Sequence, residues 1–204
     1  MNSLPTLPRR TWLERLSLSL AGALIAVGVL TLFGWWLRMD ELLRPFTAQT
    51  PVKINAALAF IVLGCVLLAL EFRRRRLAWL AVVPILLGAV TLVQDGFRID
   101  LQIDELFGRD PLPIGREHPG RMAGMIAVCL ILGGGVLVWR ATERAARARL
   151  LAEAVAGSLL ASAGFSTLLG YAAGLPIVYT WNTASATPPV AALAAIRTSS
   201  GEKL

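Results

Sequence analysis

The chain of 204 residues is poor in charge, in histidine and in cysteine. Charged side chains make up 16% of it, whereas a soluble domain carries about 25%. Its one histidine, His118, cannot supply the pair of axial ligands that a haem held between helices requires. The two cysteines, Cys65 and Cys129, both fall in apolar runs, and no CxxC or CxxCH spacing occurs. They read as small buried hydrophobes, not as a disulfide framework or a metal site. There is no P-loop, HExxH or nucleophile elbow. Gly133 to Gly135 form a triplet inside an apolar run, which suits close helix packing and not a phosphate cradle. No Asp, Glu, Lys, Arg or His lies in the middle of any long apolar run, which speaks against a pump or ion-coupled transporter. The expectation is therefore a chain that is not an enzyme, with no catalytic residue, no metal and no cofactor.

What the sequence does hold is material suited to hydrocarbon. It is 56% hydrophobic, with a mean hydropathy of +0.65. A bilayer core needs about 20 helical residues to cross it. Five apolar runs approach or exceed that length: 16–37, 54–70, 77–94, 122–139 and 154–179. Pro84 lies within the third, where a membrane helix tolerates proline if a neighbour satisfies the freed carbonyl. Pro176 is expected to end the fifth. The first run is too long for a signal-peptide core, and no small-residue cleavage site follows it, so it reads as a retained helix. A sixth stretch, 189–196, is too short to span alone. The expected fold is all-α: a polytopic transmembrane helix bundle of five spans with a candidate truncated sixth. A short outward loop or interfacial helix is expected at about 95–121. The parts are a cytoplasmic tail (1–15), the helical module (16–196) and a polar tail (197–204).

Net charge is +7 and the isoelectric point about 10.7. The arginines cluster at the ends of the apolar runs, which makes them orientation signals and not a nucleic-acid surface. With the N-terminus inside, thirteen lysines and arginines fall on the inner side and seven on the outer if the sixth stretch crosses, the inner count including Arg197 and Lys203 on that condition. Short arginine-dense inner loops are the signature of cytoplasmic segments. The expected location is the inner (plasma) membrane, multi-pass, with the bilayer as the main partner. All six tryptophans lie near run ends, where an amphipathic ring anchors depth and tilt.

Two of the spans look alike. PVKINAALAFIVLGCVLLALEFRRRR and GRMAGMIAVCLILGGGVLVWRATER align at an offset of 70, which matches Ala57 with Ala127 and Gly64 with Gly134. A basic residue, Lys53 or Arg121, precedes each, and a basic cluster follows. SATPPVAALAAI, from Ser185, is a weaker third echo. Such a period suggests an array of helix hairpins. The fifth run carries Ser158, Ser162, Ser166, Gly170 and Gly174 at four-residue spacing. Small residues on one face let another helix approach closely. The partner would be internal or a second protomer, so a homodimer or an assembly with other membrane subunits is expected.

The stretch VTLVQDGFRIDLQIDELFGRDPLPIGREHPGRMAGMIAVCLILGG resembles the multi-pass N-terminal sensor region of bacterial PAS-containing histidine kinases and diguanylate cyclases. Asp100, Ile103, Asp104, Glu105 and Leu106 fit its D-x-x-I-D-E-L-x-F segment, with Phe107 one place ahead of the motif's phenylalanine. His118 to Met122 fit its H-P-G-R-M turn, and Asn55 in INAALAF fits its helix opening. LGYAAGLPIVYTWNTASATP resembles the lead-in to a third repeat. Met125 and Ile126 depart from the Asn-Thr of the pattern, and the third repeat has no full span. The resemblance implies a membrane sensory or anchoring input module in signal transduction, here without its output domain. The kinase or cyclase activity of such proteins does not transfer, because the residues for it are missing. The alternative is a small integral accessory subunit of a larger membrane complex.

The polar 99–122 segment holds the candidate ligand residues Asp104, Glu105, His118 and Arg121. Carboxylates suit hard cations, and His118 would make a response depend on pH between about 5 and 8. The competing reading is structural. Ile99, Leu101, Ile103, Leu106 and Phe107 alternate with the acids, as in an interfacial helix lying on the bilayer, and Arg121 would simply pair with Glu117.

Overall fold

The computed structural model describes residues 12–39, 52–103, 121–142 and 146–173. Within them the chain is helical and holds no strand. Helix α1 is Trp12–Leu37, α2 is Ile54–Glu71, α3 is Val82–Phe97, α4 is Gly124–Ala141 and α5 is Ala146–Ala172. A 3-10 segment, Arg75–Ala81, leads directly into α3. Five helical segments are long and apolar enough to cross a membrane, the third being Arg75–Phe97. The sixth stretch, Pro176, residues 1–11 and the polar C-terminal tail lie outside the described residues, while residues 12–15 of the expected N-terminal tail already belong to α1.

The helices form two antiparallel hairpins with the same internal packing. In the first, a Cβ placed on Gly28 would fall 2.6 Å from the Ala57 carbonyl oxygen and 2.6 Å from Ile61. Reciprocally, one on Gly64 would fall 2.8 Å from the Ala21 carbonyl oxygen and 2.7 Å from Ile25. In the second hairpin Gly88 meets Ala127 (2.5 Å) and Ile131 (3.1 Å), and Gly134 meets Ala81 (2.9 Å) and Ile85 (2.6 Å). Each of the four strips reads Ala-x3-Ile-x2-Gly: 21/25/28, 57/61/64, 81/85/88 and 127/131/134. The glycine admits the facing backbone, the alanine keeps that backbone bare, and the isoleucine packs beside the glycine. Where lipid removes the hydrophobic drive between helices, close van der Waals approach of this kind holds them together. The repeat sensed at offset 70 in α2 and α4 therefore extends to their partners, at offset 60.

The two hairpins meet around a small-residue core. Ala56, Ala59, Leu63, Val66, Ala78, Ala81, Met122 and Leu130 are buried together. Helix α5 packs on α4 through its Ala156 side and leaves Leu151, Val155, Phe165 and Leu168 exposed. An apolar helix with an open face of this kind suits lipid contact or a further helix.

The helix ends explain several boundaries. Arg38, Arg73 and Arg98 each take a left-handed conformation just past a helix, with φ of 53°, 58° and 54°. Amides beyond them turn back onto the last turn: Met39 to Gly34, Arg74 to Ala69 and Ile99 to Gln94. Glycine normally fills this place. Arginine costs about 1 kcal/mol of backbone strain there, but puts a cation against the negative end of the helix dipole and can reach the headgroup layer.

The described residues correct or sharpen several expectations. Pro84 is the third residue of α3, directly after the 3-10 segment, close to the first-turn position where a helix best tolerates proline. The fifth helix starts at Ala146, not near 154, so Arg147 belongs to the helix and not to a loop; the ARARLLAEA sequence is rich in good helix formers. Of the segment expected as a loop or interfacial helix at about 95–121, residues 98–103 form a turn, and 104–120 lie outside the described residues. Arg98 and Gln102 have positive φ, and the Asp100 carboxylate accepts the Gln102 amide at 2.9 Å, which diverts the backbone from helix. Trp35 is not an exposed anchor but a buried residue, 9% exposed.

Candidate functional site

Ionisable side chains of the described helices gather near the two ends of the bundle, and there they tie helices together. At the end where α1 and α3 finish, each hairpin closes with a different chemistry at an equivalent place. Trp35 is seven residues after Gly28, and Asp95 is seven after Gly88. The Trp35 indole N–H donates to the Val52 carbonyl at 2.8 Å. Its ring lies under the Lys53 ammonium, 5.9 Å from Nζ to the centroid. Lys53 is only 6% exposed. Burial there is offset by the negative face of the indole, which attracts a desolvated cation.

In the second hairpin the same place is an ion pair. The Arg121 guanidinium donates to Asp95 at 3.3 Å and to the Ile99 carbonyl at 3.0 Å. Asp100 lies 3.9 Å from it. The Arg121 side chain is 6% exposed and that of Asp95 17%. One arginine thus fixes the start of α4, the end of α3 and the turn beyond it. Of the candidate ligand residues, Arg121 is the one described. It stands at the base of the polar segment, bonded to the hairpin. Asp104, Glu105, His118 and Glu117 lie outside the described residues.

The opposite end carries the arginine-dense turns. There the Glu71 carboxylate accepts from the Ser17 hydroxyl at 2.7 Å and from Arg140 at 2.8 Å. The Glu71 side chain is 8% exposed. This contact joins α1, α2 and α4, so it locks the two hairpins to each other. Beside it opens a cleft of about 540 Å³ lined by Leu70, Arg73, Arg75, Arg140 and Glu153. No group of three or more metal-ligating side chains occurs among the described residues.

On α5, Ser158, Ser162 and Ser166 are exposed, so no described helix covers that strip. Gly170 is helical, and Gly174 lies outside the described residues. The sequence pattern located Lys53 and Arg121 as a matched pair of basic residues. It missed Trp35 and Asp95 as their counterparts, and it missed the contact of Ser17 and Arg140 with Glu71 at the other end. The signal for Trp35 and Asp95 was their common distance from a glycine of the repeat.

No family model, curated protein or solved structure matches the chain. The fold and its polar locks define a class: an all-helical membrane protein built from repeated, glycine-sealed hairpins.

Proposed function

We propose that this chain is a membrane-embedded sensory and anchoring module of a bacterial signal-transduction protein. It lies in the inner membrane with its arginine-dense end in the cytoplasm. The observation that carries the reading is the grip of Arg121. This one buried side chain ties the root of the polar outer segment to Asp95 and to the end of α3. A ligand or proton taken up by Asp104, Glu105 or His118 would act on that root. Close-packed hairpins, locked again at Glu71, would carry the displacement to the other leaflet as rigid bodies. The resemblance of the D-x-x-I-D-E-L and H-P-G-R-M residues to membrane sensor regions supports the sensory part. Short loops dense in arginine support the orientation. The partners are the bilayer and a second protomer or other membrane subunits.

The test joins a kinase or cyclase reporter domain to the end of the chain, in cells. The expected result is an output that changes several-fold in the variants Asp104→Asn and His118→Ala, with membrane insertion unchanged. Output indifferent to both variants, with cofactor-bearing subunits co-purifying at native expression, would favour the accessory-subunit reading instead.

A further inference from the structure

In both described hairpins the Ala-x3-Ile-x2-Gly strip of the first helix is covered by the second helix. Helix α5 begins like the first helix of a third hairpin. Arg76, Leu77, Ala81, Val82, Leu86 and Leu87 match Arg149, Leu150, Ala154, Val155, Leu159 and Leu160 at a constant offset of 73. That offset places Ala154, Ser158 and Ala161 where the Arg75–Phe97 segment has Ala81, Ile85 and Gly88. All three are exposed, and a Cβ on the neighbouring Gly157 or Gly164 would meet nothing within 4 Å. The strip that is sealed twice in this protein is open here.

We propose that residues 189–199 of the same chain cover it, in the register of α2 on α1. The chain beyond α5 carries its own copy of the strip, Ala192-x3-Ile196-x2-Ser199, with serine as the small residue. Its lead-in, PPVAALAAI, puts proline where a helix tolerates it best, at the start. The spacing also fits. Residues 38–53 connect α1 to α2, and an equal length, 173–188, separates the end of α5 from Pro189. From Gly28 to Ala57 is 29 residues, and from Ala161 to Ala192 is 31. An antiparallel approach sets Ala161 beside Ala192 and Ala154 beside Ser199. The serine strip of α5 thereby has an internal partner at Ser158. This inference is independent of the proposed signalling role.

Paired cysteines in the full chain, with Cys65→Ser and Cys129→Ser, test it. The pairs Ala161→Cys with Ala192→Cys and Ala154→Cys with Ser199→Cys should each form a disulfide within one chain under mild oxidation in native membranes. The out-of-register pair Ala161→Cys with Ser199→Cys should not. Each in-register pair reports separately, so a folding defect in one leaves the other. A disulfide between chains from Ala161→Cys alone would make a second copy the occupant and overturn the proposal. So would the absence of both in-register disulfides in protein recovered monodisperse.

Discussion

The Arg121 guanidinium lies 3.3 Å from the Asp95 carboxylate, and both side chains are largely withdrawn from water. The pair spans the mouth of the second hairpin, where the first hairpin sets Lys53 on Trp35. Two chemistries serve one architectural need: a basic side chain that precedes the second helix is drawn down onto the end of the first.

Removing one member of that pair strands the other. Breaking a buried ion pair typically costs about 3–5 kcal/mol. Asp95→Ala should therefore lower stability in detergent by an amount of that order. The double variant Asp95→Leu with Arg121→Leu should recover part of it, since no charge is then left buried. Reversible unfolding in mixed micelles measures both. A double variant less stable than either single one would contradict the assignment.

The glycines divide into two groups by what faces them. Gly88→Ala and Gly134→Ala push a methyl group against backbone and isoleucine at 2.5–3.1 Å. Overpacking of this kind costs about 1–3 kcal/mol. Gly22→Ala and Gly135→Ala meet open space, and within a helix alanine is favoured over glycine by up to about 1 kcal/mol. Those two should be neutral or stabilising. Melting temperatures of the four variants in one detergent decide the matter.

Glu71 links the hairpins through Ser17 and Arg140. Glu71→Gln keeps the size of the side chain and one acceptor oxygen but removes the charge from the bond to Arg140. Charge-assisted bonds are roughly twice as strong as neutral ones. The variant should be less stable than the wild type. Arg140→Ala should be at least as damaging, because it leaves a carboxylate that is 8% exposed with Ser17 in place of an ion pair.

Arg98 carries two opposing contributions, and substitution separates them. Arg98→Gly relieves the strained φ of 54° while losing the cation at the helix end. Arg98→Ala loses the cation and keeps the strain, which is about 1 kcal/mol. The alanine variant should be the less stable of the two. Equal stability would show that the left-handed turn is not the one adopted in the membrane.

Much of this fold was legible in the sequence because membrane spans announce themselves locally. Uninterrupted apolar runs marked all five helices, and α2 matches its run to within a residue. Helix ends were read less well. Arg147 looks like loop when charge alone is weighed, although alanine and arginine extend helices readily. The locks were the least visible part. Trp35 and Val52, or Ser17 and Glu71, are far apart in sequence, and nothing local distinguishes a tryptophan under a lysine from one at the lipid interface. The Ala-x3-Ile-x2-Gly strip was written in all four helices. Only α2 and α4 align at offset 70, however. Their partners align at 60, because the connections within the two hairpins differ in length. The polar-segment residues Asp104, Glu105 and His118 rest on resemblance and charge pattern, and their roles await the reporter variants above.

The most direct measurement of the central claim, that five segments cross hydrocarbon with the arginine-dense turns on the cytoplasmic face, uses two single cysteines. Arg75→Cys and Asp104→Cys are placed separately in a chain carrying Cys65→Ser and Cys129→Ser. Intact cells are then treated with a membrane-impermeant thiol reagent. The account predicts modification at position 104 and protection at position 75 until the membrane is opened. Modification at 75 with protection at 104, or equal reaction at both, would contradict it.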